Sequence, residues 1–191
     1  MKKAVFLDRD GTILDELGYL TPDSTIHIYP YSIDAIRLLA RGGYAVVIIT
    51  NQGGIGLGLY DHAFVDRTHK GLADQFAAGG ASVDGWYYCP HHPEAVVPEF
   101  KQVCECRKPA IGLVTAAARD LDLDLHASWI VGDQWRDIEV GHRTGARSVL
   151  VRTGYGRRLE TNWPDDIAPA TLVADNVMAA AARILAPPPR V

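Results

Sequence analysis

The apolar run Ala4-Val5-Phe6-Leu7 ends in Asp8-Arg9-Asp10-Gly11-Thr12, so two carboxylates follow it one residue apart. If that run is a short buried strand, residues two apart leave it on the same side, and Asp8 and Asp10 converge on one site. Two such groups repel unless a cation or a shared proton relieves them. Oxygen ligands of this kind suit a hard divalent ion such as Mg2+, which commonly bridges to a substrate phosphate. The plainer alternative is a polar Asp-Gly turn after a strand.

Three further segments offer groups for the same site. The Thr50 hydroxyl and the backbone N–H groups after it, in Thr50-Asn51-Gln52-Gly53, could hold a phosphoryl oxygen. The glycines from Gly53 to Gly58 have no fixed pattern and add little. Lys108 would offset clustered carboxylates and bind the same phosphate. In Gly132-Asp133-Gln134-Trp135-Arg136-Asp137, Asp133 would complete the coordination begun by Asp8. Alternatively, Asp133 and Asp137 would be a helix N-cap and a first-turn acid.

All three cysteines, Cys89, Cys104 and Cys106, lie in one short segment. An odd number reads poorly as a disulfide framework. Cys89-Pro90-His91-His92 with Cys104-Glu105-Cys106 instead offers Cys3His, a common structural zinc set, with His91 and His92 competing for the fourth place. Such a closed site has no open position, so its work would be to clamp a loop.

Strands are expected over residues 5–7, 45–50, 85–88, 128–131, 148–151 and 172–173, where short apolar or aromatic runs stand between turn signals. Helices are expected over 32–41, capped by Ser32 and stopped by Gly42-Gly43, and over 61–78, 112–121, 135–144 and 176–185. Residues 15–28 read as a loop able to reach back over the site, and 90–108 has neither period. Alternating strands and helices make an α/β doubly wound, mainly parallel sheet, with ligands bound beyond the strands' carboxyl ends. Asp8, Asp10, Thr50 and Asp133 all fall at such ends.

With 191 residues the chain is expected to be a single domain over 1–186 followed by a Pro-rich tail, 187–191. A net charge of -4 argues against a nucleic-acid partner. The apolar run at the start is too short for a signal peptide and none approaches a membrane span, so a cytoplasmic protein is expected.

Asp8-x-Asp10-Gly11-Thr12, Thr50, Lys108 and Gly132-Asp133-x-x-x-Asp137, in that order, resemble the four signatures of the haloacid dehalogenase-like (HAD) phosphatase superfamily. The segment from Cys89-Pro90-His91-His92-Pro93-Glu94 to Cys104-x-Cys106-Arg107-Lys108-Pro109 is similar to its capless, histidinol-phosphatase-related branch. The resemblance implies a Rossmann-like core without a cap domain, the short connection from Asp8 to Thr50 leaving no room for one. It implies Asp8 as nucleophile and Asp10 as the group that protonates the leaving oxygen and later activates water, with Thr50 and Lys108 completing the catalytic set. Mg2+ would be held by the Asp8 carboxylate, the Asp10 backbone carbonyl and Asp133, with Asp137 behind them. Zinc would take Cys89, His91, Cys104 and Cys106. Substrate contacts would come from Glu16, Leu17, Gly18, Tyr19, Thr50, Asn51, Gln52, Gly53, Arg107, Lys108 and Gln134. The residue after Asp133, often basic in the family, is Gln134 here. The implied reaction removes the 7-phosphate of a heptose 1,7-bisphosphate, in the supply of lipopolysaccharide core or a related nucleotide-activated heptose. Histidinol phosphate is the alternative substrate, disfavoured by the length of the stretch from Pro93 to Val103. The partner would be a small sugar phosphate, not nucleic acid or membrane, and the protein a monomer. A zinc-stabilised binding module with an inert fold would lack a catalytic residue, and none is lacking.

Overall fold

A computed structural model describes residues 1–21 and 24–187, so Pro22, Asp23 and nearly all of the expected Pro-rich tail lie outside the described residues. Six strands, β1 (Ala4–Leu7), β2 (Ala45–Asn51), β3 (Gly85–Cys89), β4 (Trp129–Gly132), β5 (Arg147–Val151) and β6 (Leu172–Ala174), form one sheet in the order β3-β2-β1-β4-β5-β6. Every pairing in it is parallel. The helices are α1 (Ser32–Arg41), α2 (His62–Ala78), α3 (Gly112–Leu121), α4 (Trp135–Thr144), α5 (Gly156–Thr161) and α6 (Val177–Leu185).

Alternation along the central strand explains why both faces need helices. Val5 and Leu7 join Val46, Ile48, Leu72, Phe76 and Ile184 in a core under α1, α2 and α6. Ala4 and Phe6 join Val47, Ile49, Val114, Ala117 and Val140 in a second core under α3 and α4. Each fully buried Leu, Ile or Phe contributes about 1.5–3 kcal/mol of transfer free energy, which is why these strands read as unbroken apolar runs.

The order puts β1 between β2 (Val5↔Val46) and β4 (Val5↔Trp129). The topology reverses there, and a crevice opens at the carboxyl ends of β1 and β4. Among the described residues no cap domain interrupts the connection from β1 to β2. Among these residues no helix is long and apolar enough to cross a membrane.

Two local expectations change. Tyr31, not Ser32, occupies the N-cap of α1; the buried Ser32 hydroxyl donates to the Ile13 carbonyl at 2.8 Å. A buried hydroxyl needs a partner, and here the tertiary one wins over the local cap. The short helix α5 carries no sequence signal, because Arg157, Arg158 and Glu160 leave it no apolar period. By contrast, the helix expected from residue 61 does start with a side-chain cap, Asp61 accepting from the Phe64 amide at 2.7 Å.

Candidate active site

The Asp8 amide continues the sheet by donating to the Val131 carbonyl at 2.9 Å, and the chain then turns sharply. The Arg9 carbonyl accepts from Thr12, Ile13 and Leu14, and Gly11 takes a φ of +77°. Gly11 and Gly154 both lie so close to Asp133 that a Cβ on either would collide with its carboxylate. Asp133 Oδ2 accepts from the Tyr155 amide at 2.8 Å, whereas its Oδ1 is buried with no partner. Carboxylate oxygens of Asp8, Asp133 and Asp137 lie within 4.8 Å of one another. An orphaned, inward-facing oxygen beside two further carboxylates fits a hard divalent cation.

Lys108 holds the other side of Asp8. Its ammonium lies 2.8 Å from Asp8 Oδ1, 2.7 Å from Asp137 Oδ1 and 3.0 Å from the Ile49 carbonyl, so all three protons are engaged. The Asn51 amide fixes the Lys108 backbone reciprocally, accepting at 3.0 Å and donating at 3.1 Å. Asp137 also accepts from the Gln134 amide at 3.1 Å, which makes it both the first-turn acid of α4 and the brace of Lys108.

Burial, opposed by Lys108, pushes the Asp8 carboxyl up to about 7. Burial, followed by the charge of Asp8, pushes Asp133 up to about 9. Burial works against the Lys108 ammonium, but Asp137 and Asp8 outweigh it and hold it protonated. Both aspartates therefore bind protons more tightly in the fold than in the unfolded chain, and their ionisation destabilises the metal-free protein. This loss begins above about pH 4 and continues as pH rises through the folded values. Buried His69 has the opposite sense: burial and Arg9 hold it down at about 3, so its effect falls below pH 6.5. Mg2+ must displace these protons, so the rise in melting temperature that saturating Mg2+ produces is expected to be larger at pH 9 than at pH 7. Thermal melts at graded pH, with and without Mg2+, check this; a Mg2+-induced shift that does not grow with pH would contradict it.

Asp10 faces a different set. Arg9 Nε and Nη2 each donate to its carboxylate at 3.1 Å. Gln52 Nε2 donates at 3.1 Å and the Thr50 hydroxyl at 3.3 Å. Gln52 is in turn held by the Tyr60 hydroxyl at 2.9 Å. The carboxylates of Asp8 and Asp10 thus share one cleft with separate duties, one beside Lys108 and the cation site, the other in a hydrogen-bonding clamp.

The cleft has a volume of about 410 Å3 and is lined by Asp8, Asp10, Glu16, Gly18, Tyr19, Thr50, Asn51, Gly53, Arg107, Lys108 and Gln134, all expected at the site. Two expected contacts lie elsewhere. Gln52 is buried behind Asp10, and Leu17 borders the neighbouring depression beside Tyr29. Two lining residues fall outside the sequence expectation. Arg136 donates to Gln134 Oε1 at 2.5 Å and has a buried Nε without a partner. Neither the place of Arg136 in the first turn of α4 nor that of Tyr155, after β5, carries a signal in the sequence.

Beside the cleft, Cys89, His91, Cys104 and Cys106 form one cluster, while His92 accepts from the Glu94 amide outside it. The Cys106 sulfur lies 3.0 Å from Cys89, 3.4 Å from Cys104 and 3.2 Å from His91 Nδ1. A tetrahedral zinc with ~2.3 Å Zn–S bonds needs sulfur separations of roughly 3.8 Å, so the closest pair, Cys89 and Cys106, would part by about 0.8 Å and the other sulfurs by less. A hydrogen bond from Cys89, aided by Cys104 and His91, holds the Cys106 thiol down to about 5, and the cluster readily presents a thiolate. The cluster is joined to the cleft wall: Arg107 donates from its amide to Cys104 Sγ at 3.3 Å and from Nη1 to the His91 carbonyl at 2.9 Å.

A capless parallel sheet with these carboxylates at its switch point defines a hydrolase of the HAD class, and the HAD-hydrolase-like family profile matches residues 105–180. The D-glycero-beta-D-manno-heptose-1,7-bisphosphate 7-phosphatase of Salmonella typhi is 41% identical over 79% of this chain and 81% of its own. That of Escherichia coli K12 is 42% identical over 79% and 80%. Among solved structures, the D,D-heptose 1,7-bisphosphate phosphatase of B. bronchiseptica, complexed with magnesium and phosphate, superposes with a TM-score of 0.84 at 32% identity, covering 96% of this chain and 98% of that one. The chain belongs to the D-glycero-D-manno-heptose 1,7-bisphosphate 7-phosphatase family of HAD-like phosphatases.

Proposed function

We propose that this protein is a Mg2+-dependent phosphatase that removes the 7-phosphate of D-glycero-D-manno-heptose 1,7-bisphosphate, working as a cytoplasmic monomer in heptose supply with residues 1–186 as its catalytic domain. One observation carries the reading: Asp8, Lys108 and Asp133 meet at a single strand-end cleft in a chain 41% identical to a phosphatase of that name.

In the first half-reaction an Asp8 oxygen attacks phosphorus and the bond from phosphorus to the C7 oxygen breaks. Asp10 gives its proton to the departing oxygen, which leaves an aspartyl phosphate on Asp8. In the second, Asp10 takes a proton from water, whose oxygen attacks phosphorus. The Asp8–phosphorus bond breaks, and inorganic phosphate and free Asp8 result. Asp8, Asp133 and the Asp10 backbone carbonyl would hold Mg2+, with Asp137 behind. When bound, Mg2+ lowers the repulsion between the carboxylate and the phosphate dianion. Lys108 stabilises the negative charge of Asp8 and of the phosphoryl oxygens, and Thr50 and the Asn51–Gly53 backbone orient them. Zinc on Cys89, His91, Cys104 and Cys106 would hold the wall that carries Arg107. With Arg136 and Gln134, that wall receives the rest of the substrate.

The test is phosphate release with Mg2+ on both anomers of heptose 1,7-bisphosphate, histidinol phosphate and a 3'-phosphorylated oligonucleotide. One heptose anomer is expected to be preferred by at least about tenfold in kcat/KM, with the 1-phosphate intact. Preference for histidinol phosphate would overturn the substrate assignment and keep the chemistry.

A further inference from the structure

Arg9 lies between the two carboxylates of the nucleophile segment and so projects to the opposite side of the strand end, into the protein. It is the largest side chain that is fully buried, 1% exposed. Its guanidinium has two occupied edges. Nε and Nη2 clamp the Asp10 carboxylate, each at 3.1 Å, and Nη1 lies 3.2 Å from Nε2 of His69. His69 is on the inward face of α2, 7% exposed. Its ring packs against Trp86 at 4.7 Å between centroids, tilted by 31°, and meets the edge of Tyr88 at 5.7 Å. The proposed chemistry uses neither Arg9 nor His69, yet both are buried polar groups aimed at the catalytic acid.

We infer that His69 is a positioning residue: as a neutral acceptor it fixes the Arg9 guanidinium, and Arg9 in turn fixes the carboxylate of Asp10 for proton transfer to the leaving oxygen. A guanidinium is rigid and planar, so holding Nη1 sets the plane of the fork that grips Asp10. The acceptor must be uncharged. A carboxylate there would pull the fork off Asp10 and add to the negative charge of Asp8, Asp133 and Asp137, while a cation would repel it. Neutral imidazole meets both conditions, with its proton on Nδ1 and the Nε2 lone pair turned to Arg9. Burial and the adjacent guanidinium keep it in that state, holding its ionisation down at about 3.

The inference rests on the reading of Asp10 as the acid, and the experiment separates the two. His69→Leu removes the acceptor and His69→Asn draws it back toward α2, short of the position of Nε2; His69→Gln restores a carbonyl of similar reach. Each is assayed on an alkyl phosphate, whose leaving oxygen must be protonated, and on p-nitrophenyl phosphate, whose leaving group departs without a proton. Asp10→Asn is run alongside, and thermal melts confirm folding. His69→Leu and His69→Asn are expected to lose about ten- to hundredfold in kcat on the alkyl phosphate and about twofold on the aryl one, with KM little changed. His69→Gln is expected near the native values. Equal losses on both substrates, or no loss, in a folded His69→Asn protein would overturn the relay. If Asp10→Asn itself shows no leaving-group dependence, the reading of Asp10 falls first, and the relay with it.

Discussion

Replacement of Asp8 by Asn is expected to cut phosphate release by at least about 10^3-fold while the fold survives. The amide cannot form the ester to phosphorus, and no neighbour can stand in. Asp10 is gripped by Arg9, Gln52 and Thr50, and Asp133 is tied to the Tyr155 amide. The structural cost is small. The carbonyl oxygen of the substituted side chain can still accept from the Arg9 amide, which lies 2.7 Å from Asp8 Oδ1, and Lys108 retains Asp137 and the Ile49 carbonyl. Burial disfavours the Asp8 charge, and Asp137 and Asp10 add to that. A neutral amide relieves this, and the Mg2+-free variant is expected to melt at or above the native temperature. Phosphate release and a thermal melt on one preparation decide it. A folded variant with a tenth of the native rate would remove Asp8 from its role as nucleophile.

Loss of zinc, by chelation or by Cys106→Ser, is expected to cost on the order of 3 kcal/mol of stability, about 6–12 °C in melting temperature for a chain of this size. Residues 90–107 contain only the short 3-10 turn Pro98–Phe100, and apart from backbone bonds to Gly56 the Cys3His cluster is the main tie between this stretch and the sheet. The kinetic effect is expected mainly in KM, by about tenfold. Arg107 is held through Cys104 and the His91 carbonyl, whereas the Lys108 backbone is tied to Asn51 at the end of β2. Metal content, melts and steady-state kinetics on the same samples check the split. An unchanged melt and KM in zinc-free protein would show that the loop orders itself.

Much of this is readable in the sequence for a physical reason. Strands buried on both faces, such as β1 and β2, are apolar almost throughout, and their bounds agree with the sequence reading to within one residue, while those of the amphipathic helices α3 and α4 agree outright. The three cysteines and a neighbouring histidine are legible because metal geometry would confine donors to short spacings, whereas the choice of His91 over His92 follows only from the family resemblance and the cluster itself. What escapes depends on partners far along the chain. Arg9 sits in plain view between Asp8 and Asp10, but its acceptor is 60 residues away on another element. The Ser32 hydroxyl goes to Ile13 for the same reason. In the sequence Gln134 is a departure and Arg136 an unremarkable arginine; only the turn of α4 shows that they form a single bonded pair at the cleft.

The strand that bears the nucleophile stands at the middle of the sheet, and this has a consequence for how the chain is made. Its neighbour β2 follows within about forty residues, but its other neighbour pairs Val5 with Trp129, and the Ala4 amide waits for the hydroxyl of Ser128, 124 residues on. A nascent chain therefore has a bare edge on this fully buried strand until Trp129 and its neighbours have been synthesised. Closing so long a loop is slow, and an open parallel edge invites pairing with other chains in the meantime. The same late arrival delivers Asp133, so the cation site and the completed sheet come into being in a single event.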